Sequence, residues 1–216
     1  MPDFILFDLD GTLTDSGPGI INSVRYALDA LGVDAPDAEG LKKFIGPGLR
    51  TSFMKFCGFD RETAEVAVAK YREYFTVTGI FENKLYPGVP EMLSSLCGNG
   101  KSLVLITSKP EVFAKQILEH FDIARRFSFI AGSELNGERS EKAGLIRYAA
   151  AGVPGMTAAE SIMVGDREHD ILGAKAVGLQ SVGVLYGYGD ESELREAGAD
   201  YIVKDVPELN DLLLHL

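Results

Sequence analysis

Two carboxylates, Asp8 and Asp10, follow an apolar segment near the start of the chain and could carry acid–base or metal chemistry. The preceding residues, Phe4–Phe7, have the composition of a buried strand, and Gly11 follows as a turn residue. Residues two apart on a strand share a face, so the two negative charges should converge where the strand ends. Such convergence is unfavourable unless a cation or a proton neutralises it. An ordinary turn containing Asp and Gly would show the same pattern, so these residues alone leave both interpretations open.

A second pair of polar residues, Thr107 and Ser108, follows the apolar segment Leu103–Ile106. Both hydroxyls fall where a strand would end, and Pro110 is suited to the first turn of a helix. The N–H groups at such a helix start lack intrahelical partners and can bind an anion. Either hydroxyl could instead serve as a helix cap, which is the commoner role for a single Ser or Thr at this place.

A third segment, Ser161–Val164, places Asp166 at its end and Asp170 four residues later. If a helix begins between the two aspartates, both carboxylates can face the same cavity, although Asp166 could equally be a helix cap. A basic group, Arg139 and Lys142, precedes this segment in the chain. Lysines in such a polar stretch are usually solvated, so Lys142 acquires interest only together with the other residues.

The elements around these residues predict a mainly parallel α/β sheet that brings them to one edge. Short apolar segments alternate with helical patterns such as Glu111–Phe121, Glu141–Ala151 and His169–Val177, which is typical of right-handed crossover connections. The ligand crevice of such a sheet lies beyond the carboxyl ends of its strands. Carboxylates, a hydroxyl and a lysine at that edge fit Mg²⁺ and a phosphate, because Mg²⁺ prefers oxygen ligands. The strand candidates are Phe4–Phe7, Leu103–Ile106, Phe127–Ala131, Ser161–Val164, Ser181–Val184 and Tyr201–Val203.

One interval interrupts the alternation and predicts a helical insertion. Between Gly17 and Asn83 the apolar spacing is helical throughout, beginning with a stripe that contains Ile20, Val24 and Leu28. Two further helices are expected at Leu49–Cys57 and Arg61–Phe75. The position of this block, directly after the acidic pair, favours a lid over helices that simply pack on the sheet.

The composition of the chain excludes some classes of binding partner and indicates a compartment. The chain of 216 residues has a formal net charge of −11, which argues against nucleic acid and against an anionic membrane surface. No window approaches the roughly 20 apolar residues of a membrane span, and the first residues lack a leader pattern. The two cysteines, Cys57 and Cys97, are far apart in the sequence, as is usual in a reducing compartment. We therefore expect a cytoplasmic protein, whose oligomeric state the sequence does not predict.

The polar motifs described above, taken in their order along the chain, resemble those of the haloacid dehalogenase-like superfamily of phosphohydrolases. The matching elements are Asp8-x-Asp10-Gly-Thr12, Thr107 after an apolar strand, Lys142, and Gly165-Asp166-x-x-x-Asp170. Residues 7–15 and 164–178 are most similar to the phosphoglycolate phosphatase-like subgroup. The resemblance implies a Rossmann-like parallel sheet core with helices on both faces, formed by residues 1–16 and 84–216. It also implies an all-helical cap subdomain, residues 17–83, inserted after the first strand.

The resemblance implies a phosphatase that acts on a small-molecule phosphate monoester. Asp8 would be the nucleophile and form an aspartyl-phosphate. Asp10 would first protonate the leaving oxygen and then activate water. A Mg²⁺ ion would be held by the Asp8 carboxylate, the Asp10 backbone carbonyl and Asp166, with Asp170 as a further ligand or an outer partner. The remaining phosphoryl oxygens would be bound by Thr107, Ser108 and Lys142.

The substrate itself stays open at this stage. The turn Gly46-Pro47-Gly48 with Arg50 is the best candidate for a cap loop that reaches the substrate, although it could be a plain turn, and Ser16 could also contact substrate. Phosphoglycolate, a nucleoside monophosphate (a 5'-nucleotidase activity), a sugar phosphate and phosphotyrosine are all compatible with the core.

Other activities of the superfamily fit less well. Mutases similar to β-phosphoglucomutase usually carry a His four positions after the residue that matches Ser16, where this chain has Ile20. A phosphonate hydrolase of this superfamily would need a cap lysine that forms a Schiff base and a motif different from Asp10-Gly-Thr12. A dehalogenase would lack the Asp at position 10. A non-enzymatic phospho-accepting receiver domain would be shorter, would lack the helical insertion and would carry its acceptor Asp on a later strand.

Overall fold

The computed structural model describes residues 2–216, which divide into two compact units. The smaller unit is Asp15–Lys84, and the larger unit comprises the chain up to Thr14 together with Leu85–Leu216. In the described residues, no helix is long and apolar enough to cross a membrane.

The smaller unit consists mainly of helices. Its helices are α1 (Gly17–Ala30), α2 (Ala38–Lys42), α3 (Leu49–Cys57) and α4 (Arg61–Tyr74), and α4 continues into a π-helical turn at Phe75–Gly79. Local sequence explains the starts of two helices, because Asp37 and Asp60 accept hydrogen bonds from backbone N–H groups of the first turns of α2 and α4. A Cβ on Gly19 would lie 1.9 Å from the Gly79 carbonyl oxygen, so glycine allows α1 to approach the π-helical turn.

The strands of the described chain fall into two sheets. Two-residue strands β2 (Thr14–Asp15) and β3 (Lys84–Leu85) pair with each other where the chain passes from one unit to the other. The other six form one sheet: β1 (Phe4–Phe7), β4 (Ser102–Pro110), β5 (Phe127–Ser133), β6 (Ser161–Gly165), β7 (Gln180–Val184) and β8 (Tyr201–Val203).

This sheet is parallel and has the strand order β5-β4-β1-β6-β7-β8. The chain builds outward from β1 to one edge and then returns to add β6 on the other side. The order therefore reverses between β1 and β6, which is the switch point where doubly wound sheets bind ligands. The predicted α/β fold class is confirmed.

Helices of the larger unit bury the sheet. They are α5 (Val89–Gly98), α6 (Glu111–His120), α7 (Lys142–Gly152), α8 (Glu168–Lys175), α9 (Glu191–Ala197) and α10 (Val206–His215). Leu145 and Ala149 of α7 and Ala174 of α8 pack with Leu6 and Val104 of the sheet in one buried cluster. Ile5 and Phe7, which point to the opposite face, are also fully buried. Burial of both faces explains why these strands read as continuous apolar runs.

Candidate active site

The end of β1 carries Asp8 and then turns sharply through Asp10. The Asp8 N–H donates to the Val164 carbonyl at 2.9 Å, which extends the pairing of β1 with β6 by one residue. The Leu9 carbonyl then accepts backbone hydrogen bonds from residues 12 to 14, which close a tight turn. Gly11 has a φ of +87°, and a Cβ on it would lie 2.1 Å from Asp166 Oδ2. Glycine is therefore required there for both its conformation and its lack of a side chain.

Three carboxylates meet at the switch point. One oxygen each of Asp8, Asp166 and Asp170 lies within 4.8 Å of the others, and the three residues are 3%, 0% and 1% exposed. Asp166 follows β6, and Asp170 reaches the same place from the first turn of α8, as the sequence predicts for a helix that begins between them. A Cβ on Gly165 would lie 2.2 Å from Asp170 Cγ, so a glycine at the end of β6 makes room for that carboxylate.

Lys142, the first residue of α7, neutralises part of this charge. Its ammonium lies 2.6 Å from Asp8 Oδ1 and 2.7 Å from Asp170 Oδ1, and it donates to the Ile106 carbonyl at 3.0 Å. The three donors of the ammonium thus point at three oxygens. The lysine is 6% exposed, so it is buried among the carboxylates rather than solvated.

The electrostatics of the cluster favour a further cation. Burial raises the pKa of Asp8, Lys142 opposes this effect, and the charges of Asp170 and Asp10 add to it, so that the pKa is about 7. Burial also raises the pKa of Asp166 well above its ordinary value, with Asp170 and Asp8 adding to the effect. Burial alone would lower the pKa of Lys142, but the carboxylates of Asp170 and Asp8 raise it above its usual range. One lysine does not balance three carboxylates, and their hard oxygen donors fit Mg²⁺.

The segment Tyr186–Asp190, which follows β7 and is rich in glycine, contacts the Asp166 side chain. Sequence reasoning missed this segment. The Tyr188 N–H donates to Asp166 Oδ2 at 2.8 Å, and the Tyr186 hydroxyl donates to the Thr12 carbonyl at 3.1 Å. A Cβ on Gly187 would lie 2.3 Å from the Asp166 Cβ. The signal for this segment was the alternation of glycine and tyrosine directly after a strand, which marks close backbone approach.

Asp10 lies beside a lysine that sequence reasoning also missed. Lys109 Nζ is 3.1 Å from Asp10 Oδ2, and the two side chains are 6% and 8% exposed. The other oxygen, Oδ1, is buried and has no hydrogen-bond partner among residues 2–216.

The two hydroxyls near the end of β4, which the sequence predicts as phosphate contacts, differ in their surroundings. Thr107 is 1% exposed, and its Oγ1 accepts a hydrogen bond from the Lys109 N–H at 3.2 Å. The Ser108 hydroxyl donates to the Ser140 carbonyl at 2.8 Å, so it fastens the segment that precedes α7.

The two substrate-contact candidates outside the motifs, Arg50 and Ser16, belong to the smaller unit. Arg50 is the second residue of α3 and forms an ion pair with Glu65 of α4. Ser16 is 3% exposed and directly precedes α1.

Comparisons with known proteins found a matching family and similar proteins of known name or structure. The model of the family described as haloacid dehalogenase-like hydrolase matches residues 5–184. A 5'-nucleotidase of Pseudomonas aeruginosa is 48% identical over 97% of this chain and 94% of its own length. A phosphoglycolate phosphatase of Neisseria meningitidis is 33% identical over 97% of this chain and 92% of its own. The crystal structure of a predicted phosphatase from Clostridium acetobutylicum has a TM-score of 0.96 and 50% identity, with both chains covered completely.

Proposed function

We propose that this protein, which belongs to the haloacid dehalogenase-like hydrolase family and is a phosphatase, hydrolyses a small-molecule phosphate monoester through an aspartyl-phosphate on Asp8. One observation carries the proposal. The buried Asp8 carboxylate lies at the switch point of the sheet, beside the Lys142 ammonium and within 4.8 Å of the carboxylate oxygens of Asp166 and Asp170.

In the first half of the reaction, an Asp8 oxygen attacks phosphorus while the bond from phosphorus to the ester oxygen breaks. Asp10 gives its proton to the departing oxygen, which leaves as an alcohol. Lys142 holds Asp8 Oδ1 and favours the charged, nucleophilic form of the carboxylate.

In the second half, water attacks the aspartyl-phosphate and the new acyl phosphate bond breaks. Asp10 now accepts the proton from water, inorganic phosphate leaves, and Asp8 is restored. The buried Thr107 lies near the end of β4, the neighbour of β1, so its hydroxyl is suited to bind a phosphoryl oxygen in both halves.

Magnesium is the cation that we propose for the acidic cluster. Asp8, Asp166 and the Asp10 backbone carbonyl would hold it, with Asp170 either as a ligand or as the partner that fixes Lys142. When bound, the ion neutralises charge between an anionic nucleophile and an anionic phosphate.

For the substrate, we propose a nucleoside 5'-monophosphate, with phosphoglycolate as the second candidate. The 48% identity with a 5'-nucleotidase over nearly the full length of both chains supports the first. The 33% identity with a phosphoglycolate phosphatase supports the second. We propose that residues 17–83 act as a cap that selects between them, with Arg50 and Ser16 as contacts.

The Asp8→Asn variant tests the reaction. An amide is a poor nucleophile, so turnover should fall by at least about 10⁴-fold while the fold is retained. The measurement is phosphate release with Mg²⁺ from a panel that contains nucleoside monophosphates, phosphoglycolate, sugar phosphates and phosphotyrosine, compared by kcat/KM. Asp3→Asn is the matched control, because Asp3 is exposed at the other end of β1 and should leave kcat unchanged. An active Asp8→Asn protein would contradict the nucleophile assignment.

A further inference from the structure

The carboxylate of Asp10 is held asymmetrically. Its Oδ2 is 3.1 Å from the Lys109 ammonium, whereas its Oδ1 is buried without a hydrogen-bond partner among residues 2–216. A buried oxygen without a partner is costly and is uncommon in a folded protein. A group that must exchange a proton with substrate and water needs such an oxygen, because a partner in the protein would compete with both.

Local structure fixes the direction of Lys109. It is the last residue of β4 before Pro110, and a residue that precedes proline is restricted to extended conformations. Its N–H donates to Thr107 Oγ1 at 3.2 Å, which ties the lysine backbone to the buried hydroxyl beside it. The side chain is 6% exposed, so its ammonium is directed inward from the end of β4 toward the end of β1.

We propose that Lys109 is a positioning residue of the hydrolytic reaction, given the function proposed above. By holding Oδ2, it fixes the rotation of the Asp10 carboxylate and presents Oδ1 to the leaving oxygen and then to water. Lys109 therefore acts through Asp10 and differs from Lys142, which contacts Asp8 and Asp170.

A double-mutant cycle of Lys109→Met and Asp10→Asn tests this role. The assay uses p-nitrophenyl phosphate with Mg²⁺, since its good leaving group keeps the slow Asp10→Asn protein measurable. Alone, Lys109→Met should lower kcat about 10- to 100-fold with KM within about 2-fold, because acid–base catalysis is weakened rather than binding. In the Asp10→Asn background the same substitution should lower kcat by less than about 3-fold.

Two results would overturn the assignment. Equal losses from Lys109→Met in both backgrounds would show that the lysine acts independently of Asp10. A raised KM with unchanged kcat would show that it binds substrate. If the unsubstituted protein hydrolysed no phosphate monoester, the proposed function itself would be wrong. Failure of the proposed function is therefore distinguishable from failure of the Lys109 assignment, which requires an active unsubstituted protein.

Controls separate positioning from folding. Lys115→Met removes an exposed lysine that pairs with Glu111 on α6, and it should leave kcat unchanged. If Lys109→Met does not fold, Lys109→Gln enters the same cycle, since its amide is polar and can still donate a hydrogen bond to Asp10. It should lose less activity than the methionine variant, and again only when Asp10 is present.

Discussion

At the scale of single residues, the site is a balance of buried charges. Lys142 contacts Asp8 and Asp170, and Lys109 contacts Asp10. Buried ion pairs contribute little net stability, but removal of one partner leaves an uncompensated charge. Each lysine therefore has two measurable functions: it permits the burial of a carboxylate, and it fixes that carboxylate in one orientation.

Lys142→Met should destabilise the protein by about 3 to 5 kcal/mol, because Asp8 and Asp170 lose their shared cation. Its kcat should fall by at least about 100-fold, because the nucleophile loses the group that orients it. Thermal unfolding and phosphate release measure the two effects. Lys115→Met is again the matched control, since an exposed pair contributes less than about 1 kcal/mol. A stable and active Lys142→Met protein would contradict both functions.

Sequence reasoning identified those residues that follow a predicted apolar strand segment. Asp8, Thr107 and Asp166 could be identified because an apolar segment precedes each of them in the sequence. Lys109 and Tyr188 could not, because their contacts with Asp10 and Asp166 depend on how separate segments meet in three dimensions. Lys109 was present in the recognised segment, but a lysine at the start of a helix is ordinarily solvated.

At the scale of secondary-structure elements, the structure contains a longer strand and additional helical turns that the local sequence pattern does not predict. The sequence predicts a strand at Leu103–Ile106, whereas β4 continues to Pro110 and so carries Thr107 and Lys109 in extended backbone. In the smaller unit, the short helix α2 was not predicted, because five residues are too few to show helical periodicity. The π-helical turn after α4 depends on the close approach of Gly19 and Gly79, which no local pattern records.

The segment Tyr186–Asp190 provides a test at this scale. In Gly187→Ala, the new methyl group would lie 2.3 Å from Asp166 Cβ and 2.4 Å from the Gly11 carbonyl oxygen, so the segment must shift. The Tyr188 N–H would then move away from Asp166, and affinity for Mg²⁺ should fall about 10-fold or more. Calorimetric Mg²⁺ titration measures the change.

Gly98→Ala is the control for this substitution. Gly98 ends α5, and a Cβ there meets nothing within 4 Å, so Mg²⁺ affinity should stay unchanged. If Gly187→Ala binds Mg²⁺ as tightly as the natural protein, the segment does not support the metal ligand.

At the scale of the whole molecule, the carboxylate cluster lies where the two halves of the sheet meet, between β1 and β6. Asp8 follows β1, Asp166 follows β6, and α7 and α8 bring Lys142 and Asp170 to the same point. The net charge of −11 gives no long-range attraction for an anionic substrate. Phosphate binding must therefore depend on local cations, and repulsion among the clustered carboxylates opposes folding until a cation binds.

Magnesium should consequently stabilise the folded protein. A ligand that binds only the folded state at 100 times its Kd adds about 2.7 kcal/mol, which for a chain of this size raises the Tm by roughly 5 to 10 °C. Asp166→Asn should abolish that increase, because one of three carboxylates is lost. The same variant should be at least as stable as the natural protein in EDTA, because a buried charge has been replaced by a neutral amide. Thermal unfolding with Mg²⁺ and with EDTA measures both effects, and their opposite signs separate a metal site from a structural acidic cluster. If Asp166→Asn were destabilised in EDTA and still stabilised by Mg²⁺, the ion would bind elsewhere and Asp166 would serve to hold Thr12 and Tyr188 in place.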